Sequence, residues 1–396
     1  MSPLDLATVR ARDRDPWQKL EIPTFEHMIS MPCHEQARHS TCAVQDMAAR
    51  FSLPAWASRI NAACFASVID FDDMCSAQGV EGSEGVADEE AALICLAGAL
   101  DFGSGWRDEL RCFHGKSAWQ TVKQGIENLS LMCPELRADW LSNLAASDVA
   151  KVFGLEHAEG LDEFVQLLLR VLNELGDSLM RRSCRSLSEF MITLLEEVRG
   201  DAQAAAKMVR ALADTFPTAF KDQSFIKHLP IYFYKKAQDV VYELYERFHL
   251  QDSRFDFPDV DSLTGSVDPI IISILRKEQV VMTTRDLAMA IEGEVALPSG
   301  ELAEVSLRAA AVAALEDITL PPGTLSQIAG SMVATCLPLL CTHLLTPTST
   351  DSVRLARLKG YPVSPVMLGH YLWGCLGKSD GYMSSRRHIT RDTTFY

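Results

Sequence analysis

Apolar residues recur every three or four positions through the middle of the chain. Between residues 161 and 179 they share one helical face, made of Phe164, Leu167, Leu168, Val171, Leu175 and Leu179. A second stripe begins at the capping-box sequence Ser186-Leu187-Ser188-Glu189 and ends at Gly200. An alanine-rich stripe starts at Asp201 and stops near Phe216-Pro217, and another covers 240–248. These spacings predict a succession of helices that each bury one face.

Further helical patterns cover about 284–293 and 302–316, whereas alternating runs of β-branched residues are scarce. The predicted fold class is therefore all-α, a multi-helix globule. The glycine-rich residues 79–86 predict a flexible loop, and the polar, aperiodic residues 379–396 predict a loosely ordered C-terminal tail. With residues 1–20 predicted to be a flexible N-terminal segment, 21–378 form the predicted helical domain.

The composition is that of a folded globule of 396 residues, 47% of them hydrophobic, with a formal net charge of −16. Because nucleic-acid affinity comes largely from Lys and Arg, this acidity argues against direct binding of nucleic acid, although a small phosphorylated ligand stays compatible. The eleven cysteines form no CxxC pair, which indicates reduced thiols. The N-terminus lacks the apolar stretch of a secretory signal, so the predicted localisation is cytoplasmic.

Two segments invite a membrane or metal interpretation, and neither is favoured. Residues 328–345 contain no Asp, Glu, Lys or Arg, but their polar positions favour a buried core helix over a membrane span, so no membrane partner is expected. The pairs Cys33-His34 and His39–Cys42 match no established metal spacing, and GxSxG, P-loop and Rossmann glycine patterns are absent from the sequence. No metal and no cofactor are predicted.

The segment from Phe255 to Lys277 centres on Asp268, which is followed by Pro269 and an apolar run. An acceptor side chain and then proline are typical of a helix start, so Asp268 could serve as an N-cap alone. A carboxylate at a helix N-terminus, reached through a Gly-Ser loop, could also face a cleft and stabilise cationic charge on a sugar. The hydrophobic pattern does not separate these interpretations.

An aromatic and basic segment precedes the Asp268 segment in the sequence. Phe233 and Tyr234 run into Lys235 and Lys236 at a predicted helix start, where the lysines could hold a phosphate or simply face solvent.

A small-residue loop follows Asp101 and is flanked by Phe102 and Trp106. The two rings could admit a flat heterocycle, with Asp101 accepting hydrogen bonds from ring N–H groups. They could equally be core aromatics at the end of a helix.

In these segments the chain resembles the queuosine salvage protein family, the queuosine 5'-phosphate N-glycosylase/hydrolases. The likeness rests on motifs in the same order, Phe233-Tyr234-Lys235-Lys236-Ala237-Gln238, Leu263-Thr264-Gly265-Ser266-Val267-Asp268, Leu297-Pro298-Ser299-Gly300 with Glu304-Val305-Ser306-Leu307-Arg308-Ala309, and Tyr371-Leu372-Trp373. Lys236 replaces an arginine of the family motif, and Pro269 and Ile270 replace a tyrosine and an arginine. Residues 103–105, Gly-Ser-Gly, also depart from the family, and 320–360 look like an insertion.

The resemblance implies an all-α fold related to the helix-hairpin-helix DNA glycosylases, and hydrolysis of queuosine 5'-monophosphate, a free nucleotide, to queuine and ribose 5-phosphate. It implies that Asp268 stabilises the oxocarbenium-like ribose or activates water, and that Lys235 binds phosphate or keeps Asp268 ionised. The predicted substrate-binding residues are Asp101, Phe102, Trp106, Phe233, Tyr234, Lys236 and Asp261. The alternatives are a hydrolase of another modified purine nucleotide and a helical binding protein without catalysis.

Overall fold

The computed structural model describes residues 37–39, 84–226, 229–319, 364–377, 382 and 384–396, and within them the fold is mostly helical, as the periodicity predicted. The helices are α1 (Glu84–Leu100), α2 (Arg107–His114), α3 (Ala118–Met132), α4 (Ala138–Ser142), α5 (Ala146–Val152), α6 (Asp162–Arg181), α7 (Leu187–Val198), α8 (Ala204–Thr215), α9 (Pro217–Phe220), α10 (Lys235–Phe248), α11 (Pro269–Lys277), α12 (Arg285–Glu292), α13 (Leu302–Thr319) and α14 (Pro365–Tyr371). A π-helical turn, Leu372–Leu376, continues α14.

The strands are short and pair in twos. They are β1 (Ala37–His39), β2 (Gln223–Ile226), β3 (Leu229–Tyr232) and β4 (Val281–Thr283). β1 pairs antiparallel with β4, with Arg38 opposite Met282, and β2 pairs antiparallel with β3, with Ser224 opposite Ile231. Because each sheet has two strands among the described residues, the all-α prediction of fold class is confirmed.

Side-chain caps explain where several helices begin. Ser186 caps α7 by accepting the backbone N–H of Glu189 at 3.2 Å, as the sequence predicted. Glu189, however, accepts the backbone N–H of Arg185 at 2.7 Å and not that of Ser186, so only half of the predicted capping box forms.

Two predicted boundaries are corrected, and a third, the end of α8 near Phe216-Pro217, is confirmed with an addition. α1 begins at Glu84, so the last three residues of the predicted flexible loop, 84–86, are helical. Asp201 lies ahead of α8 and accepts the backbone N–H of Gln203 at 2.8 Å, because a short acidic side chain favours a local turn over the helix interior. Pro217, predicted to end a helix, also opens α9, since its fixed φ suits the first helical position.

The described part of the chain has two hydrophobic clusters as its core. The larger is built from α1 to α10 and extends to Leu263, and the smaller is built mainly from α11 to α13. α14 contributes Val366 to the larger cluster and Leu368 to the smaller one. The loop 264–268 and α14 therefore lie at the boundary between the clusters, a location where ligand sites are common.

Residues 388–396 are packed, and for them the prediction of a loosely ordered tail is wrong. Thr390 and Tyr396 are buried, and Tyr396 Oη donates to Glu304 at 2.7 Å. The guanidinium of Arg308 lies 3.9 Å from the ring centroid of Phe233 and 4.8 Å from that of Tyr396. The sequence hid this packing because the tail is held by hydrogen bonds and cation–ring contacts instead of an apolar stripe.

Several predictions concern residues outside those described: the N-terminal segment 1–20, the Cys33-His34 pair, and the insertion at about 320–360 with its uncharged stretch 328–345. None of the helices described here combines the length and the apolarity needed to cross a membrane.

Candidate active site

A cleft of about 560 Å³, part of it open to solvent, lies where α1, α10, the loop 264–268 and α14 meet. Its apolar lining consists of Ile94, Ala97, Gly98, Trp119, Val240, Gly369 and Trp373. Its polar lining consists of Asp101, Lys235, Asp239, Glu243, Ser266, Asp268 and His370. Asp101, Lys235 and Asp268, which the sequence analysis placed in three separate segments, therefore share one cleft.

Close contact between α1 and α10 brings two of these residues together. A Cβ atom at Gly98 would lie 2.1 Å from Cγ2 of Val240, so a larger residue there would separate the helices. The contact sets the C-terminal end of α1 beside the N-terminal end of α10. There Lys235 Nζ donates to Asp101 Oδ2 at 2.6 Å.

Lys235 is charged although its side chain is only 4% exposed. Its Nζ also lies 3.5 Å from Asp239 Oδ2. Burial alone would lower the pKa of Lys235, but the carboxylates of Asp101, Asp239 and Asp268 together raise that pKa above its ordinary value. Tyr234, directly before α10, adopts a left-handed φ of 46°, a strained conformation for a non-glycine residue that is typical of functional sites.

Asp268 caps α11, as its sequence predicted. Its Oδ1 accepts the backbone N–H groups of Ile270 at 2.7 Å and Ile271 at 3.0 Å, while Oδ2 receives no hydrogen bond from the described residues. Asp268 is 7% exposed, and this burial raises the pKa of its carboxyl group, with Lys235 opposing the rise. The helix cap and the cleft thus share one carboxylate, so the two interpretations of the sequence are compatible.

Hydrogen bonds tie the loop that carries Asp268 to α10. Gln238 Nε2 donates to Thr264 Oγ1 at 2.8 Å, and Gln238 Oε1 accepts the backbone N–H of Thr264, also at 2.8 Å. Ser266 Oγ donates to Asp239 Oδ2 at 3.1 Å. These contacts join two of the sequence motifs and fix the position of Asp268 relative to the helix that bears Lys235.

Lys236 lies behind the cleft in the core. It is 1% exposed, and its Nζ donates at 2.6 Å to the backbone oxygens of Ala99 and Thr394. The Nζ also lies 5.1 Å from the ring centroid of Phe102. Burial lowers the pKa of Lys236 to about 7. Its neighbours are backbone and aromatic groups of the protein interior, which leaves its predicted contact with substrate without structural support.

Of the other predicted binding residues, Asp101 lines the cleft and the rest lie apart from its lining. Phe102 and Trp106 pack in the core against Phe164, with ring centroids 5.8 and 5.3 Å from it. Tyr234 stacks on Tyr232 with a centroid distance of 5.7 Å. Phe233 faces Arg308, as described above, and Asp261 is exposed in a short 3-10 turn.

The cleft also contains residues that the sequence analysis did not assign to it, Trp119, Asp239, Glu243, His370 and Trp373. A helical signal was present for two of them, because Asp239 and Glu243 follow Lys235 at steps of four on the same helix face. His370 and Trp373 share a spacing of three, but only the fold brings their helix to α10. Among the described residues, no group of three or more His, Cys, Asp and Glu side chains has an arrangement that could hold a metal ion.

Comparison with known proteins agrees with the motifs. The sequence profile of the family described as queuosine salvage protein matches residues 117–396. A queuosine 5'-phosphate N-glycosylase/hydrolase of Sphaerobacter thermophilus is 24% identical over 220 residues, which cover 52% of this chain and 64% of that protein. A protein of the same name from Dictyostelium discoideum is 23% identical over 209 residues, covering 52% of this chain and 60% of that protein. The chain thus spans less than two thirds of the length of either relative. The profile match, however, extends over more than half of the chain itself, and the chain therefore belongs to the queuosine salvage protein family.

Proposed function

We propose that this protein is an N-glycosidase that hydrolyses queuosine 5'-monophosphate to queuine and ribose 5-phosphate, for salvage of the queuine base used in tRNA modification. The observation that carries the proposal is Asp268, a buried carboxylate held rigid by its helix cap on the wall of a cleft, with one oxygen that accepts no hydrogen bond from the described residues. The names of the two relatives describe the same reaction, which supports it.

The charge of the cleft suits the transition state of such a reaction. The lining contains four carboxylates, those of Asp101, Asp239, Glu243 and Asp268, and one lysine. Cleavage of a glycosidic bond develops positive charge on the sugar, and charges that are fixed before the reaction stabilise it most effectively. In our proposal Asp268 lies closest to the ribose, where it stabilises the oxocarbenium-like cation and accepts the proton of the attacking water.

In this proposal Lys235 acts on the ionisation of Asp268, which is the second of its two predicted roles, and does not bind the phosphate. Burial raises the pKa of Asp268, and the charge of Lys235 opposes that rise, so Lys235 favours the ionised form of Asp268. Its contacts with Asp101 and Asp239 leave it in a negative environment that disfavours a phosphate. We place the 5'-phosphate instead toward Arg387, a cation outside the cleft lining whose charge interacts with that of Asp268.

The base would occupy the apolar side of the cleft, where Trp119 and Trp373 replace Phe102 and Trp106 as the aromatic residues available for a flat ring. Indole rings offer broad apolar faces to a heterocycle, which supports this placement.

A substrate panel tests the proposal. Release of free base is measured by chromatography from queuosine 5'-monophosphate, queuosine, GMP and AMP. The expected result is a kcat/KM for queuosine 5'-monophosphate at least about 10²-fold above those for GMP and AMP. Comparable turnover of GMP or AMP would favour a hydrolase of another purine nucleotide. Release of base from none of the four would favour a binding protein without catalysis.

Two further parts of the proposal concern the fold and the compartment. We propose that the fold is related to the helix-hairpin-helix DNA glycosylases, for which the helical class and the family resemblance are the support. We also propose that the protein acts in the cytoplasm, which the free thiols of Cys95, Cys112, Cys133 and Cys184 support because such thiols persist in a reducing compartment.

A further inference from the structure

His370 lies on the cleft wall at the end of α14 and belongs to none of the motif positions assigned to catalysis above. Its side chain is 10% exposed, its Nε2 lies 3.5 Å from Asp239 Oδ1, and its ring meets the edge of Tyr242 with a centroid distance of 4.7 Å. The imidazole is therefore held on two sides and borders the same space as Asp268.

The carboxylate of Asp239 fixes how this imidazole is used. Asp239 Oδ2 is occupied by Ser266 Oγ at 3.1 Å and by Lys235 Nζ at 3.5 Å. Asp239 Oδ1 is buried and has no hydrogen bond at normal distance among the described residues, and His370 Nε2 lies 3.5 Å from it, within reach of a small adjustment. A buried carboxylate oxygen needs a donor, which favours a proton on Nε2.

A close backbone contact places α14 against the loop that carries Asp268. A Cβ atom at Gly369 would lie 2.8 Å from the backbone nitrogen of Ser266, so only glycine allows this approach. His370 follows immediately, and the π-helical turn after it carries Trp373 to the cleft as well. π-Helical turns of this kind are frequent at functional sites.

Hydrolysis of this nucleotide needs a proton donor that the function proposed above leaves open. The base of queuosine is a 7-deazaguanine, so it has no N7 on which a departing purine can be protonated. The leaving base must gain a proton or a strong hydrogen bond elsewhere. Asp268, which accepts a proton from water in that scheme, cannot supply it at the same time.

We propose that His370 is the general acid that protonates the departing base, and that Asp239 is its positioning residue; this inference rests on the proposed N-glycosidase function. The C1'–N bond breaks and its electron pair goes to the base, which takes a proton from the imidazolium of His370. The oxygen of water bonds to C1', and its released proton goes to Asp268. Transfer of that proton from Asp268 through water to His370 restores the enzyme.

The charges around His370 favour the protonated imidazole. Burial alone would lower the pKa of His370, but Asp239, and to a smaller extent Glu243, raise it above its ordinary value, while Lys235 opposes them. Asp101, directly after α1, and Asp268 in the loop line the same cleft and add negative charge.

The test measures kcat and KM of the full-length wild type, His370→Gln and a matched control, His249→Gln, between about pH 5 and pH 9. His249 follows the end of α10 and stacks on Tyr245 with a centroid distance of 4.1 Å, away from the cleft lining. His370→Gln should lower kcat by about 10²–10⁴-fold, leave KM nearly unchanged and remove the fall of kcat at high pH. His249→Gln should match the wild type.

A second substrate separates proton donation from a structural role. Loss of 4-nitrophenol from its ribofuranoside 5-phosphate needs no general acid, so His370→Gln should lose less than about tenfold on it. Equal losses on both substrates would show a structural role and overturn the proposal. Asp239→Asn should move the high-pH fall of kcat to lower pH, because it removes the group that raises the pKa of His370.

The outcomes distinguish the two proposals. If the wild type releases queuine but His370→Gln keeps its kcat and its pH profile, His370 is not the acid and the N-glycosidase function stands. If the wild type releases no base from queuosine 5'-monophosphate, both proposals fail. If His370→Gln does not fold, as judged by its thermal unfolding, Asp239→Asn decides, and an unshifted pH profile in that variant overturns the proposal.

Discussion

Substituting Asp268 by Asn should make the protein much less active and more stable at neutral pH. Asn retains an acceptor oxygen for the backbone N–H groups of Ile270 and Ile271, so the cap of α11 survives. The charge that faces the cleft is removed. Activity and stability therefore respond to the same substitution in opposite directions.

The size of each effect follows from the environment of Asp268. Loss of one preorganised electrostatic group lowers kcat by about 10²–10³-fold. Burial raises the pKa of Asp268 in the folded protein even though Lys235 opposes the rise. At pH values between the pKa of Asp268 in the unfolded chain and its pKa in the folded protein, the folded state therefore binds more protons than the unfolded state. The wild type therefore loses stability as pH rises through that window, and Asp268→Asn, which has no carboxyl group to titrate, does not. Asp268→Ala, which also loses both cap hydrogen bonds, should be less stable than Asp268→Asn by about 0.5–2 kcal/mol.

The assay combines base release with denaturant unfolding of the wild type and both variants at several pH values. An unchanged denaturant m-value would show that a shift in midpoint reports stability. Activity of Asp268→Asn within about threefold of the wild type would refute the catalytic role. A lower stability of Asp268→Asn than of the wild type at neutral pH would refute the argument that burial disfavours the charged carboxylate.

Three further predictions concern residues around the cleft. Lys235→Ala should lower base release from queuosine 5'-monophosphate and from queuosine by similar factors, because the partners of Lys235 are carboxylates. Arg387→Ala should lower kcat/KM only for the phosphorylated substrate, by about tenfold or more. A larger loss on the phosphorylated substrate than on queuosine for Lys235→Ala would contradict this prediction. Lys236→Met should leave KM unchanged and should abolish the gain in stability that the wild type shows as pH rises above about 7, because Lys236 releases its proton near pH 7 in the folded state and near pH 10.5 in the unfolded state. Urea unfolding at several pH values measures this gain. A variant that keeps the pH dependence would count against the assignment of the lowered pKa to Lys236. Gly369→Ala should lower the free energy of unfolding by about 1–3 kcal/mol and reduce activity, because the new Cβ would lie 2.8 Å from the backbone nitrogen of Ser266. Gly374→Ala is the control, because no described atom lies within 4 Å of a Cβ at that position. Equal effects of the two substitutions on thermal unfolding and turnover would argue against the close contact.

The candidate site was predictable from sequence where a local rule and a motif coincided. Asp268 satisfies the N-cap rule and ends a motif, and the structure places it as a cap on the cleft wall. Lys235 and Asp101 came from motif and loop composition, and their contact depends on the close approach of Gly98 to Val240. Lys236 shows the limit of such reasoning, because adjacent lysines on a helix point in different directions, and one reaches the cleft while the other reaches the backbone oxygens of Ala99 and Thr394.

The hydrophobic pattern determined by itself that this protein is helical and located α6, α7, α8, α12 and α13, and the N-cap and proline rule placed Asp268 at the start of α11, because these properties depend on neighbours within a few residues. Only the tertiary structure decided which polar residues meet. His370 reaches Asp239 because Gly369 lets α14 approach Ser266, and Tyr396 at the end of the polar tail is buried because Glu304 and Arg308 give it partners. Contacts of this kind join residues far apart in the chain, and their strength depends on burial and charge that no local window of sequence contains.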